Sequence, residues 1–143
     1  MPEEQANQFF VRIDKLTIDD KPLFGIMNSH QMICHCADFF RMAKGTKKAE
    51  EYGVTSLDDI KKLNEEGKSI PAPKGFGQVE GKGTQPTNFE NDKEILRGFI
   101  LEFIKLPEDF SFATHPIFGE MDYTRWSGLA IYHLDHHLKQ FAS

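Results

Sequence analysis

His133 and His137 stand four positions apart near the C-terminus, in the run HLDHHLKQF. On a helix that spacing puts two side chains on one face, with Cβ atoms about 5–6 Å apart. Two imidazoles so placed can hold one divalent ion at about 2.0–2.1 Å each, which is why helical metal sites favour the spacing. Trp126, Leu129, Ala130 and Gln140 share the face, so the pair points toward a core. His35 lies in a second apolar stripe, between Met32, Cys36 and Phe39. A lone histidine there is most simply a core residue satisfied by a hydrogen bond. Three inward imidazoles are different, because burying them without partners is costly and one shared cation partners all of them. His35, His133 and His137 are therefore the expected ligands of a divalent metal, with zinc, nickel, iron and copper all suited to imidazole. Three neutral ligands leave a coordination position open, where water or a thiol loses its proton more easily; the first gives hydrolysis and the second attack on an electrophile.

His136, three residues from His133, can replace His137 as a ligand, stand beside the site or serve an interface. Gln140, one turn beyond His137, is placed to hydrogen-bond a ligand ring or bound water; the plainer reading is a helix-end polar residue. His115, before Pro116, is expected to make a structural hydrogen bond, and His30, near a helix start, to be exposed. Cys36 faces inward and reads as a small buried hydrophobe more than as a thiolate ligand. Glu102, at the edge of an apolar face, is a marginal extra ligand. No catalytic acid or base and no substrate-binding residue is evident. A Glu-x-x-His pair is missing, which disfavours a ferritin-like di-iron site; HExxH is missing too. The glycine-rich GFGQVEG has neither the preceding strand nor the following helix of a nucleotide fingerprint.

The elements that must position these residues are helices. Ala6, Phe9, Phe10, Ile13 and Leu16 recur at threes and fours, predicting a helix from Glu4 to Leu16. Asn28 and Gln31 form a capping box for a second, from Ser29 to Lys44, ending at Gly45. Its buried stripe holds Met32, Cys36, Phe39, Phe40 and Ala43, and Cys34, Asp38 and Arg41 fall opposite. A third long helix is expected from Phe89 to Leu106, on Ile95, Leu96, Phe99, Ile100 and Phe103, and a fourth from a cap at Thr124 to Phe141. Between Gly45 and Asn88 the chain is polar, with a short helix near Ser56 to Leu63 capped by Ser56 and Asp59. The rest is broken by Gly67, Gly75, Gly77, Gly81, Gly83, Pro71, Pro73 and Pro86. A connection this long fits a crossover joining two parallel helices. The expected architecture is all-α, a four-helix bundle with a long crossover between helices 2 and 3. As a lid, that loop could steer an anionic substrate with Lys68, Lys74 and Lys82; the favoured reading is a solvated crossover.

Composition sets the outer bounds. The 143 residues suffice for one domain with a core, supplied by 13 Phe and a 39% apolar fraction. A net charge of -5 lacks the basic stripe that sequence-independent nucleic-acid binding needs. The polar MPEEQANQ start is not a secretory signal, and Phe99 to Leu106, cut by Glu102 and Lys105, is too short for a membrane span, so a cytoplasmic protein is expected. Cys34 and Cys36, two apart on a helix, point apart and should be reduced thiols.

The runs GIMNSHQMICHCADFF, HPIFG and HLDHHLKQF, with Trp126, resemble the DinB-like (DinB/YfiT-like) superfamily of metal-dependent enzymes, especially a subfamily with the HPxFG and HLDHHLxQF motifs. The likeness runs from Phe24 to Phe141. It implies an up-down-down-up bundle in which one histidine from the second helix and an HxxxH pair from the fourth bind a divalent metal, falling on His35, His133 and His137. Relatives that use a low-molecular-weight thiol imply a thiol-dependent transferase acting on a small electrophile. Metal-dependent hydrolysis of a small molecule is the close alternative. A third reading is a non-catalytic metal-binding or dimerising bundle, motivated by Ile131, Leu134 and Leu138, an apolar strip away from the histidines that a second copy or the long loop could cover.

Overall fold

Local chemistry sets where each helix begins and ends. A computed structural model describes residues 1–48, 57–67, 73 and 75–143. Its helices are α1 (Glu3–Lys15), α2 (Ser29–Lys44), α3 (Leu57–Glu65), α4 (Phe89–Ile104) and α5 (Tyr123–Lys139). Among the described residues there is no strand, only an isolated bridge between His115 and Gly119. The Asn28–Gln31 capping box forms in full, with the Asn28 side chain accepting from Gln31 N at 2.8 Å and Gln31 Oε1 accepting from Asn28 N at 2.9 Å. Gly45 closes α2 at φ 82°, a left-handed conformation that glycine adopts without a Cβ clash. Asn88 caps α4. Asp122, not Thr124, caps α5, accepting from Arg125 N at 2.9 Å, so that helix starts two residues earlier than a Thr124 cap allows. Ser56, the expected cap of α3, lies outside the described residues, as do Lys68, Pro71 and Lys74.

Contacts between helices set their directions. The Met1 amino group donates to Tyr123 Oη and Arg12 pairs with Asp135 at 2.9 Å, so α1 and α5 run the same way. His30 meets Asp92 near the starts of α2 and α4 and Lys44 meets Glu102 near their ends, so these two also run together. The end of α1 faces the start of α4: Arg97 pairs with Asp14, and buried Lys93 donates to Asp14 O and Leu16 O, closing α1's last carbonyls. The end of α2 meets the approach to α5 through Ala113 N donating to Ala43 O at 2.9 Å, which sets α2 against α5 in opposite directions. Each of α1 and α2 packs on both α4 and α5.

α2 is the most enclosed helix, with 12 of its 16 residues buried, which means it is covered nearly all round. The expectation that Cys34, Asp38 and Arg41 form an outer face is corrected. Cys34 and Asp38 are buried and Arg41 half-buried, because α4 and the segment 76–85 cover that side. The apolar strip on α5 is corrected as well: Leu134 and Leu138 are buried in the chain's own core and Ile131 packs against it, so the strip offers no free surface to a second copy. Phe40, Phe103, Phe112, Tyr123 and Trp126 pack as a continuous aromatic layer, and Phe39 extends it to the histidines. Among the described residues no helix is long and apolar enough to cross a membrane.

Candidate metal centre

α2 delivers His35 and α5 delivers His133 and His137 to one point. One ring nitrogen from each lies within 4.8 Å of the others. His133 Nε2 is 3.1 Å from His35 Nε2, and the three ring centroids are 4.5–4.9 Å apart. Phe39 stacks on His133 at 4.8 Å and fixes that ring's plane.

The outward nitrogens decide where the protons are. His35 Nδ1 faces the Phe76 carbonyl at 3.2 Å and Gln78 Oε1 at 3.0 Å. A carbonyl oxygen only accepts, so Nδ1 carries the proton and Nε2 turns a bare lone pair inward. Gln78 cannot reverse its amide, because its Nε2 donates to the Asp38 carboxylate at 2.9 Å. His137 repeats the arrangement, its Nδ1 donating to Gln140 Oε1 at 2.7 Å. Among the described residues His133 Nδ1 has no hydrogen-bond partner. Two inward lone pairs and a third ring 3.1 Å away exceed what one N–H can satisfy, whereas a cation accepts all three. The residues therefore fit a divalent ion with imidazole ligands.

Electrostatics favour the ligand state. Burial lowers the His35 pKa. Burial, and then the neighbouring rings, push His133 well below the usual range, and His137 falls to about 3. All three rings are thus neutral at physiological pH and need shed no proton to bind a cation.

A strap from the long connection supports His35 from outside. Phe76 and Gln78 are 3% and 1% exposed, which corrects the expectation of a solvated crossover over this stretch. Its anchor is Asp38, fully buried, accepting from Thr84 N at 2.8 Å, Thr84 Oγ1 at 2.6 Å, Gln78 Nε2 at 2.9 Å and Arg41 Nη1 at 2.9 Å. Gly83 lies so close to Gln78 that a Cβ there would sit 2.4 Å from its Nε2. Only the run of glycines hinted at a tight path here; no sequence signal named Gln78 or Asp38 as partners.

The other candidates separate clearly. Gln140 holds His137, and its own backbone carbonyl accepts from Leu23 N at 2.6 Å. His136 is half-buried, edge-on to His137 at 5.0 Å and packed between Phe24 and Tyr132. His115 makes the structural bonds expected, its Nδ1 accepting from Ile117 N and Phe118 N at 3.0 and 3.1 Å. Cys36 is buried against Met32 with its thiol pKa pushed up by burial, as an inert core residue would be. Glu102 is exposed and pairs with Lys44, so it is no ligand. His30 corrects the expectation of exposure: it is buried, 2.6 Å from Asp92. Both cysteines are free thiols.

Residues 81–143 match a family model described as "Protein of unknown function (DUF1569)". This corrects the DinB-like resemblance read from the motifs, since the family that matches is DUF1569. No curated protein and no solved structure matches the chain significantly.

Proposed function

We propose that the protein binds a divalent cation on His35, His133 and His137 and uses it to hydrolyse a small molecule. The observation that carries this reading is the inward pair of bare Nε2 lone pairs on His35 and His137, whose Nδ1 protons are held outward by Phe76, Gln78 and Gln140. Zinc, nickel and iron(II) all suit such a set. When bound, the cation supplies a Lewis acid with an open position that acidifies a water molecule. The chain's own residues do the positioning: Gln78 and Gln140 orient two rings, and Phe39 stacking holds the third.

Water is favoured over a thiol as co-reactant by space. The cavity beside His35 and His133, lined also by Phe39, Met42, Pro73 and Phe76, is about 30 Å³, room for a water and little more. A larger cavity of about 480 Å³ shares Met42 with it and is lined also by Gly45, Lys47, Lys48 and Ala113, a size suited to a small-molecule substrate. In this reading the four long helices form an up-down-down-up bundle, supported by their pairwise directions, and the 45–88 connection is the crossover that parallel α2 and α4 require.

Elemental analysis of protein purified without a histidine tag tests the site. His133→Ala should hold at least one equivalent of cation less than the parent, and equal contents would remove the proposal. Activity is then screened on metal-loaded protein with nitrophenyl esters and phosphates, and in parallel with monochlorobimane plus cellular thiols. Ester or phosphate cleavage lost in His133→Ala supports hydrolysis; bimane conjugation lost in that variant, without cleavage, would replace hydrolysis with thiol transfer.

A further inference from the structure

On the opposite side of α2, His30, Cys34 and Asp92 bring an imidazole, a thiol and a carboxylate within 4.8 Å of one another. Three contacts converge on a single oxygen, Asp92 Oδ2: His30 Nε2 at 2.6 Å, Cys34 Sγ at 3.8 Å and Thr87 N at 3.1 Å. His30 and Cys34 are one helical turn apart, the spacing that lets two side chains share a ligand. Asp92 comes from the parallel helix α4, in its first turn. Phe89 closes one side, edge-on to His30 at 5.3 Å. His30 and Asp92 are 8% and 9% exposed, so the cluster lies just beneath the surface, within reach of ions from solvent.

We propose that His30, Cys34 and Asp92 form a second divalent-cation site, selective for borderline metals such as zinc or cobalt(II). The donor set argues the selectivity: sulfur and imidazole suit these ions, whereas calcium and magnesium take oxygen. Charge argues it too, since one thiolate and one carboxylate neutralise a dication. The 3.8 Å from Sγ to Oδ2 is close to the span of two ligands at about 2.3 and 2.1 Å from one ion. The 2.6 Å between Nε2 and Oδ2 is the length of a contact closed by a shared proton, and a cation that replaces that proton widens it. On binding, the Cys34 S–H proton goes to solvent and the shared proton passes to His30 Nδ1 or to solvent, with no change of oxidation state. The site is independent of the histidine triad, which contains no sulfur.

Sulfur ligation gives the test. Apo-protein titrated with cobalt(II) should develop a thiolate-to-cobalt charge-transfer band in the near ultraviolet. Cys34→Ser should abolish the band and Asp92→Asn should weaken its binding at least tenfold, while Cys36→Ser and His133→Ala keep it. Zinc-loaded wild-type protein, examined by X-ray absorption, should show a sulfur scatterer at about 2.3 Å beside nitrogen and oxygen at about 2.0–2.1 Å; this needs no variant to fold. A wild-type spectrum with only nitrogen and oxygen ligands, or a band that survives Cys34→Ser, would overturn the site. Loss of metal from the triad alone would leave the sulfur signature standing, which keeps the two proposals separable.

Discussion

His35 shows how one ring answers to two neighbours at once. Its Nδ1 is bound by the strap and its Nε2 is left for the centre. Gln78→Ala removes one of two acceptors and should weaken metal affinity about tenfold, the lower end of the range for groups that orient a ligand. Gln78→Glu would set a second carboxylate beside buried Asp38 and should weaken it more; competition with a chromophoric chelator measures both. His115 makes a separate prediction, about pH. Burial lowers its pKa from 6.5 to about 4, so between those values the unfolded chain takes up a proton that the folded chain refuses. Its contribution to stability is therefore complete above pH 6.5 and is lost as pH falls toward 4, by at most about 3 kcal/mol. His115→Gln should be less stable than the parent at pH 7, and chemical denaturation should show that gap narrowing by pH 4.5.

At the scale of elements, the period of apolar residues made the four long helices legible, and with them the convergence of His35, His133 and His137. The Asn28–Gln31 box gave the start of α2 to the residue. Removing it by Asn28→Ala should cost about 1 kcal/mol, read as a lower midpoint in urea with an unchanged slope. What periodicity could not convey is how many sides of a helix are covered. The apolar stripe divides α2 into an inner and an outer face, yet α4 and the strap enclose the outer one, so His30, Cys34 and Asp38 are buried. Their partners Asp92, Gln78 and Thr84 are 40 to 62 residues away in the chain, beyond any local pattern. Gly25, at φ 79°, illustrates the same limit. A Cβ there would lie 2.8 Å from Gln140 Nε2, so Gly25→Ala should disturb the group that holds His137 and lower metal affinity as well as stability.

For the whole molecule, the candidate centre ties α2, α5 and the strap to one point, and a cation bound there stabilises only the folded chain. At a free concentration a thousand times its Kd the gain is about 4 kcal/mol, so chelation should lower Tm by several degrees or more in a scanning experiment. The strap has its own consequence. Val79 is half exposed and sits next to Gln78, which touches His35 on one side and Asp38 on the other. A dye attached at Val79→Cys, in a background whose native thiols are both buried, would ride on the segment that clasps the ligand. Its fluorescence anisotropy should drop when the ion is stripped, which would turn a surface loop into a gauge of occupancy readable in intact protein without any substrate.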